Sequence, residues 1–210
     1  MAKLLYVKAS PRGSRSKSIT VADAFVKTYR SANPGDTVET VNVFDDGIPA
    51  FDGSAVEAKY EILHGKKPGA EQLKAWKDVE RIIEQFKGAD KYVLAVPMWN
   101  FGIPYRLKQY FDVIVQPGYT FTFSAEQGYK GLVTGKSVLA VYSRGGEYPA
   151  GTDAEAFDLQ KRYVELVLGF MGLTEIHSVI VEPTLQGGPD VAQQKVQEAI
   201  SRACNIAAAF

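Results

Sequence analysis

Four serines gathered in one short segment are the first residues whose types suggest chemistry. Ser10, Ser14, Ser16 and Ser18 follow the apolar run Leu4 to Lys8 and lead directly into a helical pattern. Hydroxyl groups beside the free N–H groups of a helix start suit a phosphate. The segment has neither the Gly-x-Gly-x-x-Gly fingerprint nor the P-loop signature, so it predicts a site for a terminal phosphate monoester. Helix capping by the same serines is the alternative interpretation.

Two further segments of this kind follow later apolar runs. Residues 97–104 begin and end with proline and include Met, Trp, Asn and Phe, a set that can hold a flat apolar ring while Asn100 binds its polar edge. Packing of these aromatic side chains in the core is the alternative. The third segment, Ser143-Arg144-Gly145-Gly146, has paired glycines that let the backbone approach a ligand closely.

The elements that must position these segments alternate along the chain. Strand-like runs are Leu4 to Lys8, Thr37 to Val43, Tyr92 to Val96, Val138 to Tyr142 and Ile176 to Val181. The first, third and fourth runs are almost wholly apolar, as strands buried on both faces of a parallel sheet are, whereas the second alternates and is expected near an edge. Helical stripes lie between the runs. This order predicts an α/β fold, a doubly wound sheet of five parallel strands with helices on both faces.

Two details of this prediction can be checked directly. A stripe of Phe157, Tyr163, Leu166, Val167 and Phe170 predicts a helix that buries these side chains, and alternating aromatic residues between 119 and 123 predict a hairpin.

In an open parallel sheet, ligands bind outside the carboxyl ends of the strands. The three polar segments should therefore meet at one edge.

Composition limits the class of protein. The 210 residues predict one domain spanning 1–210, and 24 Lys plus Arg against 24 Asp plus Glu give no overall charge for binding nucleic acid or an anionic membrane. One cysteine and two histidines argue against a disulfide framework, a zinc ribbon or a Cys/His protease, and we expect no metal site. A signal peptide and a membrane-spanning run are also absent from the sequence, so we expect a cytoplasmic protein.

Together these motifs resemble a known family. The segments Ser10 to Ser18, Pro97 to Phe101, Pro104 to Asp112, Gly131 to Lys136 and Ser143 to Gly146 are similar to those of the FMN-dependent NADH-azoreductases, and they occur in the same order. That family has a flavodoxin-like fold and also reduces quinones. The resemblance extends over most of the chain.

The resemblance implies an FMN site and a homodimer with flavin sites near its interface. The implied contacts are Ser10, Ser16, Lys17 and Ser18 with the phosphate and ribityl groups, Met98, Trp99, Asn100 and Phe101 with the isoalloxazine, and Ser143, Arg144, Gly145 and Gly146 with its pyrimidine edge. Many members of the family have tyrosine at the position of Trp99, so the larger indole bears on which substrates fit.

The function predicted on this basis is transfer of a hydride from NAD(P)H through FMN to a quinone or azo compound, each substrate binding in turn. The cofactor supplies the reactive chemistry, so no catalytic side chain is predicted. The alternative is a flavodoxin-like electron carrier that turns over no small molecule. Such carriers tend to be acidic, whereas this chain is neutral. A receiver-like signalling domain is disfavoured because Ser10 and Pro11 stand where its acidic pair would lie.

Overall fold

The computed structural model describes residues 1–45 and 47–210. Its strands are β1 (Lys3–Lys8), β2 (Thr37–Asn42), β3 (Lys91–Pro97), β4 (Phe121–Ser124), β5 (Gly128–Gly131), β6 (Ser137–Ser143) and β7 (Glu175–Val181). The α-helices in this part of the chain are α1 (Lys17–Ala32), α2 (Gly53–Leu63), α3 (Ala70–Lys87), α4 (Tyr105–Ile114), α5 (Leu159–Met171) and α6 (Gly188–Ala207).

Five of the strands form one parallel sheet in the order β2-β1-β3-β6-β7. The predicted five-stranded parallel sheet is confirmed, and its strand order is the flavodoxin-like one once the two hairpin strands are set aside. The three almost wholly apolar runs occupy the centre as β1, β3 and β6. The alternating run is the edge strand β2, because an edge strand needs apolar side chains on fewer of its positions.

Helices cover both faces of the sheet, as predicted. On one face, Leu4 and Tyr6 of β1 pack in a cluster with residues of α1 and α6. On the other face, Leu5 and Val7 pack in a larger cluster with residues of α2, α3, α4 and α5. Successive residues of β1 thus alternate between two apolar layers, and this explains why the run has no polar position in its middle.

The predicted hairpin is present, whereas the predicted helical stripe from Phe157 is partly wrong. Strands β4 and β5 pair in antiparallel fashion, Phe123 opposite Tyr129. Phe157 lies in a 3-10 turn before α5, and its side chain is 52% exposed. The helix begins only after Asp158, whose carboxylate caps it by accepting from the Lys161 N–H at 3.0 Å. Leu166 lies in α5, yet it is 70% exposed.

None of the helices in residues 1–45 and 47–210 has both the length and the apolar character required to cross a membrane.

Candidate functional site

The carboxyl ends of the central strands bring the three predicted segments together. A cavity of about 170 Å³ opens there. Its lining residues are Ser10, Arg12, Ser16, Lys17, Pro97, Met98, Trp99, Ser143, Gly145, Thr184 and Leu185. Pairing of β3 with β6 sets Pro97 opposite Ser143, and the Met98 N–H donates to the Ser143 carbonyl at 2.8 Å. This register fixes the second and third segments side by side.

The serine segment is shaped as a cradle and not as a helix cap. Ser16 is the N-cap residue of α1, yet its side chain makes no capping hydrogen bond. Its hydroxyl instead lies 3.2 Å from that of Ser18, and both residues, like Ser10, are buried. The first turn of α1 contains no acidic side chain that would repel an anion. Buried hydroxyl groups beside free helix N–H groups favour the phosphate interpretation over helix capping.

The second segment contains a tight turn with an unusual backbone. Asn100 and Phe101 have φ angles of 46° and 68°, and the N–H and carbonyl groups of Trp99 and Gly102 are hydrogen bonded in both directions at 3.1 and 2.9 Å. Two central residues with positive φ define a type I′ turn. Asparagine tolerates this conformation, but for phenylalanine it is strained, and such strain is concentrated at functional sites. The turn presents Trp99 at the cavity.

The third segment is held through its main chain. The Gly145 carbonyl accepts from the Leu185 and Gln186 N–H groups, each at 3.1 Å. A Cβ atom on Gly145 would lie 3.0 Å from the Leu185 side chain. The loop after β6 is thereby joined to the loop after β7, and both reach the cavity.

Arg144 does not line the cavity. Its guanidinium group lies in the interior, where it forms ion pairs with Asp158 and Glu182 at 2.7 and 3.3 Å. The residue is 2% exposed. A side-chain contact between Arg144 and a ligand in the cavity is therefore not supported by this geometry.

The predicted site residues fall into three groups. Those that line the cavity are Ser10, Ser16, Lys17, Met98, Trp99, Ser143 and Gly145. Four more lie in the same segments but do not line the cavity: Ser18, Phe101, Arg144 and Gly146. Asn100 lines a larger groove that adjoins the cavity. These assignments remain predictions as ligand contacts.

Four cavity residues were missed by the sequence reasoning. Arg12 and Pro97 lie within segments that were predicted to bind a ligand through other residues, so their place in the sequence already indicated a site. Thr184 and Leu185 follow β7. The rule that ligands bind beyond the carboxyl ends of strands applies to that strand too, and the following Gly187-Gly188 pair resembles the one after β6.

A larger groove of about 940 Å³ adjoins the cavity, with Trp99 in the walls of both. Its lining residues are Trp99, Asn100, Gly102, Ile103, Tyr105, Lys108, Leu159, Arg162, Tyr163 and Leu166. Burial raises the pKa of Tyr163 above its ordinary value. Burial alone would lower the pKa of Lys108, but its hydrogen bond to Asp112 and nearby charges raise it overall. At neutral pH, Tyr163 therefore keeps its hydroxyl proton and Lys108 its charge.

The fold and the cavity define a class of protein: a doubly wound α/β domain with a cavity of polar and aromatic residues beyond the carboxyl ends of its parallel strands. The model of the flavodoxin-like fold family, Flavodoxin_2, matches residues 2–206. The chain belongs to this flavodoxin-like family and, within it, to the azoreductases that its motifs resemble.

Similar proteins of known name are consistent with this membership. The chain is 59% identical over 210 residues to an FMN-dependent NADH:quinone oxidoreductase of Nitratidesulfovibrio vulgaris strain DP4, covering all of both chains. It is 38% identical to another from Pseudomonas fluorescens, covering 99% of this chain and 96% of the relative. Its structure is similar to that of a Bacillus anthracis azoreductase, with a TM-score of 0.92, 30% identity and full coverage of both chains.

A further solved structure carries a cofactor. It is an FMN-dependent NADH-azoreductase of Bacillus anthracis strain Ames Ancestor in complex with FMN, 28% identical to this chain with a TM-score of 0.88. The similarity covers 99% of this chain and all of that one.

The strained turn leads to a prediction about stability. Replacing Asn100 with alanine should lower the free energy of unfolding by about 1 kcal/mol, because an ordinary L-residue resists the left-handed conformation. Replacing it with glycine removes the same amide but suits positive φ, so Asn100→Gly should be at least as stable as the wild type. Urea denaturation of the three proteins tests this. Equal losses in both variants would show that the amide, and not the backbone conformation, stabilises the turn.

Proposed function

We propose that this protein is an FMN-dependent oxidoreductase that passes a hydride from NAD(P)H to quinones and azo compounds. The proposal depends on one observation above all. The buried hydroxyl groups of the serine segment and the aromatic turn at Trp99 face the same cavity, beyond the carboxyl ends of adjacent parallel strands. This arrangement provides a phosphate site and a ring site at the two ends of one ligand. The names of the relatives support FMN as that ligand.

The residues at the phosphate end fit the group. The hydroxyl groups of Ser10, Ser16 and Ser18 can donate to phosphate oxygens, and the start of α1 adds N–H groups and a favourable dipole. Arg12, whose side chain is exposed at the cavity, adds a positive charge. Since hydrogen bonds to a charged group are worth about 1.5–3 kcal/mol each, this end should supply much of the affinity.

The residues at the ring end fit as well. Met98 and Trp99 give an apolar surface, and the main chain at Ser143 and Gly145 can bond the polar edge of a flat heterocycle. Gly145 has no side chain to hold the ring away from the backbone. Asn100 lies in the turn that adjoins this surface and can orient a ring edge or a substrate in the groove.

Bound FMN would accept a hydride from a nicotinamide and deliver it to an electron acceptor. The contribution of the chain is to hold the substrates, and the groove beside Trp99 is suited to this. Ile103, Leu159 and Leu166 give it an apolar wall for a flat aromatic acceptor. Lys108 and Arg162 favour substrates with negative charge, as NAD(P)H is.

Both substrates are proposed to use this groove in turn, in a ping-pong mechanism. The cavity and the groove share Trp99, and the sequence holds no second nucleotide-binding motif. Two flat substrates that need the same apolar surface cannot occupy it together. The groove also distinguishes this proposal from the electron carrier, because a carrier that passes electrons to a protein partner needs no substrate groove.

A homodimer is proposed to cover the exposed apolar face beside the groove. Leu166 is 70% exposed, and one helical turn further along, Phe170 contacts Tyr129 with ring centroids 5.4 Å apart. Tyr129 in turn contacts Phe123 at 4.9 Å, and these two rings are 67% and 60% exposed. A continuous apolar surface of this kind is typical of a protein interface. A second copy of the chain is the partner that the family resemblance implies.

Two further expectations are part of the proposal. Residues 1–210 are proposed to act as one domain, since all three segments of the site come from one sheet. A cytoplasmic location would suit an enzyme that uses NAD(P)H.

The phosphate end is tested by replacing Ser16 with alanine. Affinity of the apoprotein for FMN should fall about 10- to 100-fold, as expected for loss of a hydrogen bond to a charged group, while affinity for riboflavin should not change. Ser14→Ala is the matched control, because Ser14 is exposed and outside the cavity lining. Fluorescence titration with both flavins measures the effect. If Ser16→Ala weakened FMN and riboflavin equally, the serine segment would not be a phosphate site.

Steady-state kinetics test the mechanism. With FMN bound, oxidation of NADH by a soluble quinone, without any partner protein, should give parallel double-reciprocal lines at a series of quinone concentrations. Each substrate should inhibit competitively against the other at high concentration. Intersecting lines would indicate a ternary complex with separate sites. No turnover at all would favour the electron carrier.

The dimer is tested by placing a charge on the apolar face. Leu166→Asp should convert the dimer to a monomer in analytical ultracentrifugation, because burial of an unpaired carboxylate in an interface is costly. Leu63→Asp is the control, since Leu63 is a half-exposed leucine of α2 outside this face. A wild-type protein that sediments as a monomer would contradict the proposal.

A further inference from the structure

The least exposed charge near the site is the guanidinium group of Arg144. Its side chain is 1% exposed, although the residue lies within a segment predicted to contact the cofactor. Each of its three nitrogen atoms has an acceptor. Nη2 donates to Asp158 Oδ2 at 2.7 Å, Nη1 to Glu182 Oε2 at 3.3 Å, and Nε to Gln160 Oε1 at 3.0 Å. The group is thus fully engaged inside the protein.

The three acceptors belong to two parts of the chain that border the site, the start of α5 and the residue after β7. Asp158 caps α5, beside the groove. Glu182 follows β7 and also accepts from the Tyr148 N–H at 3.4 Å, which restrains the loop after β6. Gln160 donates through Nε2 to the Val96 carbonyl at 2.9 Å, just before the segment that contains Trp99. Asp158, Gln160 and Glu182, all within the described chain, lie outside the cavity lining.

The main chain of Arg144 is fixed by the same region. Its N–H donates to the Val181 carbonyl at 3.0 Å, and its carbonyl accepts from both the N–H and the hydroxyl of Thr184 at 2.8 Å. Thr184 and the next residue after Arg144, Gly145, both line the cavity. A change in the position of the guanidinium group would therefore be transmitted to two of the loops that form the ring end.

We propose that Arg144 is a positioning residue for the flavin ring, acting through Asp158, Gln160 and Glu182 to hold the loops after β3, β6 and β7 in register. This inference rests on the proposed function. Replacing a buried ion pair with apolar side chains is often neutral or stabilising, so stability alone does not account for the cluster. The geometry accounts for the cluster, because one planar group joins the residue after β7 directly, and β3 through Gln160, to the loop that follows β6 between them.

The test uses Asp158, which pairs with Arg144 and does not line the cavity. Asp158→Asn keeps the shape of the side chain and an oxygen that can cap α5, but it removes the charge that pairs with Arg144. Affinity of the apoprotein for FMN and for riboflavin should fall by the same factor, about tenfold, as expected for loss of one charge-assisted hydrogen bond. Asp52→Asn is the matched control, because Asp52 caps α2 in the same way and has no arginine partner among the described residues.

Substitutions of Arg144 itself separate a loss of flavin positioning from a general loss of protein stability. Arg144→Met should weaken both flavins more than Arg144→Lys, which retains the charge but not the planar fork. Thermal unfolding of each apoprotein identifies any variant that fails to fold. For such a variant, Glu182→Gln gives the test instead, since Glu182 is partly exposed and its loss is milder.

The outcomes are distinct. Equal loss of both flavins in folded Asp158→Asn, with Asp52→Asn unchanged, supports the inference. Wild-type affinity in that variant, or a loss confined to FMN, overturns it, because the effect would then be absent or would lie at the phosphate end. A wild-type apoprotein that binds neither flavin would refute the proposed function itself.

Discussion

The parallel pairing of β3 with β6 is the constraint on which the site depends. Their register places Pro97 opposite Ser143, so the two loops that follow leave the sheet at the same level and on the same edge. β1 pairs on the other side of β3, and its loop with the serines is delivered to that edge as well. A shift of one residue in either pairing would turn the side chains of the strand to the opposite face. The two apolar clusters on the two faces of the sheet prevent such a shift.

The two ends of the site are built by different means. At the proposed phosphate end, polar side chains close together in the sequence line the cavity, and the start of α1 adds its N–H groups. At the proposed ring end, Gly145 leaves the main chain uncovered, and the left-handed turn at Asn100 and Phe101 presents Trp99 at the cavity. Main chain can bond a ligand only when it is held firmly. The strained turn and the buried Arg144 cluster are two ways in which this chain achieves that.

This difference also explains what could be predicted from the sequence. The five strands and the edge position of β2 followed from the apolar patterns, since a strand buried on both faces has no room for polar residues. The serine segment could be identified because its residues are neighbours in the chain. Thr184 and Leu185 were missed because their contacts with Arg144 and Gly145 join residues about forty positions apart, and no local pattern records such contacts.

The direction of the Arg144 side chain is the sharpest example. The family resemblance implies a flavin contact for this arginine, which lies between a serine and two glycines. In the fold, Asp158 and Glu182 pair with the guanidinium group and hold it in the interior. Those acceptors lie 14 and 38 residues away. Since a charge can be buried only with partners, the position of the partners decides the direction of the side chain. The part of the loop that remains for a ligand is then its backbone.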